Sequence, residues 1–126
     1  MLTVSLSLLL AITPAISRGP NGNMVVWEQD SRIYANDVLV APETSNAQST
    51  PDIAAFGDFF FVVWREGLRA YGRILFDGRP LGPIADLGDA YQPPSVAADH
   101  EGFVVALQQQ RGINVVHVSQ NGFVMR

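Results

Sequence analysis

The chain has 126 residues, 48% of them hydrophobic, which is enough to bury one modest core. Its formal charge of -4, with 8 scattered basic residues against 12 acidic ones, excludes the dense cationic surface that nucleic acid requires. The absence of cysteine excludes disulfide frameworks, thiol nucleophiles and cysteine-based metal sites.

The first element is the apolar stretch from Leu2 to Ile12. With Ala15 and Ser17 at positions minus three and minus one from a cut before Arg18, it has the outline of an export signal. Two features oppose that reading: no Lys or Arg precedes the apolar core, and Pro14, Ile16 and Ser17 stand in register with a repeat. Residues 1–17 therefore have two readings, a cleaved signal peptide or an edge strand. Pro14 and Arg18 cut the apolar stretch below the ~20 residues of a helical membrane span, so no span is expected.

From Pro14 onward the chain repeats. A Pro-x-Ile/Val-Ser/Ala tetrad begins at Pro14, Pro51 and Pro94, and after a turn-like gap each tetrad is followed by an apolar run: Met24 to Trp27, Phe59 to Trp64 and Phe103 to Leu107. The units span about 14–50, 51–93 and 94–126, and they align Trp27 with Trp64 and Leu107, and Ile33 with Ala70 and Ile113, at spacings of 37 and then 43. Periods of this size mark arrays of one supersecondary unit.

The second unit predicts four strands, at Asp52 to Ala55, Phe59 to Arg65, Arg69 to Phe76 and Leu81 to Leu87. Gly57-Asp58, Glu66-Gly67 and Asp77-Gly78 supply the turns between them. The run Phe59-Phe60-Phe61-Val62-Val63-Trp64 shows no alternation. Successive strand residues point to opposite faces, so both faces of this strand must be covered. One sheet alone cannot do that, whereas sheets stacked like propeller blades can. In the third unit a fourth strand would begin after Asn121-Gly122, close to Met125 and Arg126. The expected fold is all-β: a β-propeller-like array of about three four-stranded antiparallel blades, incomplete as a closed ring.

The residues resemble the repeats of exported bacterial β-propeller-like proteins, which read Pro-x-Val-Ala, Phe/Tyr-Leu-Val-Val-Trp, Ile-Tyr-Gly-x-Arg-Val and Asp-Gly. The matching pieces are Pro51-Asp52-Ile53-Ala54, Phe61-Val62-Val63-Trp64, Ala70-Tyr71-Gly72-Arg73-Ile74 and Asp77-Gly78. The first unit keeps Arg32-Ile33-Tyr34 but lacks Asp-Gly, and in the third Leu107 replaces Trp and Asn114 replaces Tyr. The resemblance implies the fold and a secreted or extracytoplasmic location. It supplies no catalytic residue.

The chemistry-bearing residues lie mainly where turns want them. Asp58, Asp77 and Asp99 recur at hairpin positions, and an acid-base role would require two of Asp52, Asp86, Asp89, Asp99 and Glu101 to face each other across a cleft. Asp99-His100-Glu101 matches neither calcium-loop nor zinc spacing, and His117 sits between valines on a predicted strand. No Gly-x-Ser-x-Gly nucleophile motif and no glycine-rich phosphate cradle occurs, so no enzyme activity, cofactor or metal is expected.

Aromatic residues carry the binding expectation. Trp27 and Trp64, with Tyr34 and Tyr71 seven positions after each and Arg65 beside the second indole, form the candidate ligand-binding set. Against this, Trp64 ends a doubly buried strand and suits packing between blades. The expected function is a non-enzymatic, exported binding module for a glycan or protein. The alternative is a structural fragment of a longer propeller, possibly enzymatic, without autonomous activity. Three blades fall short of the usual 4 to 8, so the expected partners are a second copy completing a ring or the missing blades of a longer chain.

Overall fold

The structure, a computed structural model, describes residues 14–125. The expected signal or edge segment up to residue 13 lies outside the described residues. The fold is all-β, with three four-stranded antiparallel sheets whose strands follow chain order. Sheet 1 contains β1 (Ala15–Gly19), β2 (Gly22–Gln29), β3 (Arg32–Ala35) and β4 (Val38–Leu39). Sheet 2 contains β5 (Ser49–Phe56), β6 (Phe59–Glu66), β7 (Arg69–Phe76) and β8 (Arg79–Asp89). Sheet 3 contains β9 (Ser95–Ala98), β10 (Gly102–Gln109), β11 (Gly112–Ser119) and the short β12 (Val124–Met125). Among the described residues no helix is long and apolar enough to cross a membrane.

Turn chemistry sets the hairpins. Asp77 and Gly78 have φ of 52° and 74° between the paired residues Phe76 and Arg79, the two positive values of a type I′ turn, whose twist matches that of the strands it joins. Each sheet is thus a meander of adjacent strands. The sheets approach each other most closely at their first strands, β1, β5 and β9, as blades converging on an axis do.

The unalternating run in β6 is resolved by stacking. Phe60, Val62 and Trp64 turn toward sheet 1 and join a core with Met24, Val26 and Ile33. Phe61 and Val63 turn toward sheet 3 and join Phe103, Val105 and Leu107. Leu107 occupies on β10 the place that Trp64 occupies on β6, so the alignment of the three units also holds in space.

Polar contacts tie the sheets together at their margins. The Asp52 carboxylate on β5 accepts the Val96 amide of β9 at 3.0 Å. Arg73 of β7 donates from Nη1 to the Val40 carbonyl at 3.1 Å and to the Glu43 carboxylate at 2.8 Å, joining sheet 2 to the crossover leaving sheet 1. That crossover is pinned from within by Gln48, which is buried. Its Oε1 accepts the Ile33 amide at 2.9 Å and its Nε2 donates to the Ala41 carbonyl at 3.0 Å. Gln48→Leu keeps the bulk but orphans both backbone groups, and an unsatisfied buried polar group costs about 1–3 kcal/mol. We expect a loss near 2 kcal/mol in urea unfolding.

Candidate functional site

The five residues expected from sequence to bind ligand do not form one site. Trp64 is 0% and Trp27 4% exposed, so neither indole offers a free platform. For Trp64 this agrees with the packing role that its place at the end of a doubly buried strand suggests, not with a ligand platform. Trp64 packs between sheets 1 and 2, and its Nε1 donates to Glu66 Oε2 at 3.0 Å. Tyr71 pairs across strands with Trp64, their rings 6.4 Å apart, in the same inter-sheet layer. Trp27 and Tyr34 stack at 5.7 Å on the opposite side of sheet 1, the face turned away from sheet 2. Arg65 belongs to the other face of β6, where its Nε donates to Thr50 Oγ1 at 3.4 Å. Thr50 has φ of 51°, an outlier for a β-branched residue, at the register shift that opens β5.

The carboxylates considered for acid-base work are held in local contacts. Asp86 and Asp89 both pair with Arg69, at 3.0 and 2.8 Å, while Asp99 caps its own turn by accepting the Glu101 amide at 2.8 Å. His117 approaches Asp99 at 3.7 Å and is more than half exposed. Among the described residues no group of three His, Cys, Asp or Glu is placed to hold a metal ion.

What the fold does assemble is a cleft of about 480 Å³ at the end of the stack that carries the β1–β2, β5–β6 and β7–β8 turns. Asn21, Asn23, Asn36, Asp58 and Asp77 line it together with Phe60 and the end of β7 at Phe76. The side chain of Phe76, a residue 44% exposed, lies on the other face of sheet 2, its ring 5.2 Å from that of Phe59. Asn36 is fixed by accepting the Val25 amide at 3.0 Å through Oδ1. The Asp77-Gly78 turn is also the wall of a more open groove on the periphery, lined by Val38, Pro42, Glu43 and Arg73.

Sequence reasoning placed Asp58 and Asp77 in turns but did not bring them together. One signal was available: Asn21 and Asp58 are equivalent turn positions, 37 residues apart.

Two carboxyls, Glu43 beside the groove and Asp99 in the β9–β10 turn, have pKa values held below the ordinary range. Glu43 is lowered chiefly by its hydrogen bond from Arg73, and Asp99 chiefly by the hydrogen bond from the Glu101 amide. A depressed folded-state pKa contributes stability that is complete above the unfolded value, about 4, and is lost as pH falls through the folded one. Melting temperature should therefore fall as pH drops below about 4, and Glu43→Gln should flatten part of that slope. No protein-family model matches the chain, and no curated protein matches it.

Proposed function

We propose that this protein is a non-enzymatic, exported binding module of β-propeller type whose ligand is a glycan, held in the cleft between sheets 1 and 2. The observation that supports this reading is the gathering of amide and carboxylate side chains from turns of both sheets beside Phe60 in one inter-sheet cleft. A flat ring buries the apolar face of a sugar at low entropic cost, while Asn and Asp exchange hydrogen bonds with its hydroxyls. Export rests on the likeness to secreted repeat proteins and on the apolar N-terminal stretch.

The test is a glycan array probed with the full chain, followed by calorimetric titration of any hit. Asn21→Ala and Asp58→Ala should each weaken binding about tenfold, roughly 1.4 kcal/mol. Tyr34→Phe, on the face of sheet 1 turned away from sheet 2, should leave it unchanged. Binding that survives both cleft substitutions would refute the assignment.

A second reading, in which the chain serves as blades of a larger assembly, is favoured by a separate observation: apolar side chains lie exposed on the outward faces of sheets 1 and 3.

A further inference from the structure

Register fixes what these outward faces carry. On sheet 3, Ala106 pairs with Val115, Val104 with His117 and Gln108 with Ile113, all turned away from sheet 2. Ile113 is 64% and Val115 52% exposed. On sheet 1, Ile16 pairs with Val25 and Trp27 with Tyr34 on the side away from sheet 2; Ile16 is 63% exposed, while Trp27, stacked on Tyr34, is itself buried. Large apolar side chains grouped on a face mark an interaction surface more often than an idle one.

The identity of the exposed residues points to their occupant. Ile113 aligns with Ile33 and Ala70, each fully buried against the sheet that follows its own. Ile16 aligns with Ile53 and Val96, each buried against the sheet that precedes its own. The outward face of sheet 3 is thus the leading half of a joint that this chain builds twice internally, and the outward face of sheet 1 is the trailing half. Each is the complement of the other. Charge agrees with this pairing. Arg18 is exposed on the outward face of sheet 1, at the end carrying the β1–β2 turn, and Asp99 and Glu101 lie in the β9–β10 turn at the corresponding end of sheet 3. In the internal joints first strands lie side by side, so a sheet 1 docked on sheet 3 would bring Arg18 to the level of those two carboxylates.

We propose that the outward face of sheet 3 binds the outward face of sheet 1 of a second copy, head to tail, and that two copies close a six-sheet ring. Propellers typically close with 4 to 8 blades, and six is the only multiple of three in that range. In such a ring both joints are identical and related by a twofold axis.

Light scattering on the full chain should report a dimer. Val115→Glu spoils the sheet 3 face in both joints and Ile16→Glu spoils the sheet 1 face in both. Each variant alone should therefore be monomeric, with dimerisation weakened at least a hundredfold and the strand signal in circular dichroism retained. Mixed in equal amounts, the two variants can form one joint from two intact faces, so native mass spectrometry should detect the mixed dimer and neither variant's own dimer. A monomeric wild type, an Ile16→Glu variant that stays dimeric through sheet 3 alone, an open polymer, or a mixture without mixed dimer would each overturn the proposal.

Discussion

Trp64→Ala is expected to lower the free energy of unfolding by about 3–5 kcal/mol, the range for emptying a buried aromatic site. The side chain is fully buried between sheets 1 and 2 among Met24, Val26, Ile33 and Leu75. Its neighbours belong to two different sheets, each held by its own hydrogen-bond ladders, so the cavity cannot collapse without pulling one sheet toward the other. A polar consequence follows. The indole Nε1 donates to Glu66 Oε2, while Glu66 Oε1 accepts the Thr44 hydroxyl at 2.9 Å, linking the strand to the crossover after sheet 1. Removal of the indole leaves that carboxylate with one protein partner fewer. Against a typical total stability of 5–15 kcal/mol this loss is large, and urea unfolding followed by circular dichroism measures it. If Trp64 were instead a surface platform, the substitution would cost little.

Gly72→Ala is expected to destabilise by about 3 kcal/mol, the upper part of the overpacking range. A Cβ on Gly72 would stand 2.3 Å from Phe61 Cζ and 2.9 Å from both Cε atoms. The ring tip of Phe61 thus lies directly over this glycine of the neighbouring strand. The Phe61 ring has little room to yield, because it is fully buried and stacks against Phe103 of sheet 3 at 5.3 Å. Shortening the obstructing side chain should restore space: the double variant Phe61→Leu with Gly72→Ala should lose less stability than the two single losses added. Contacting residues commonly show such coupling at 0.5–3 kcal/mol, and strict additivity would contradict the packing described.

The architecture was readable in the sequence where one physical rule dominated. The run from Phe59 to Trp64 demanded two covered faces, and Asp77-Gly78 demanded a tight hairpin. Local patterning and turn chemistry suffice for such elements because every residue in them contributes the same message. Pieces whose form depends on distant partners were not readable. Gln48 looks like an ordinary loop residue until the Ile33 amide and the Ala41 carbonyl are brought to it. β4 and β12, two residues each, are too short to show a period. The cleft escaped for a related reason, since its polar groups come from turns of two sheets whose approach is set by core packing. The indoles left two roles open because an aromatic at a strand end is equally suited to core and surface, and only the neighbouring sheet decides between them.

The claim on which all of this rests is that the middle strand β6 is covered on both faces. Acrylamide quenching of Trp64 fluorescence in a Trp27→Phe variant tests it most directly, because the chain contains 2 tryptophans and the substitution leaves only one. The account predicts an indole in an apolar environment that acrylamide barely reaches. Quenching as efficient as that of a free indole in water would contradict it.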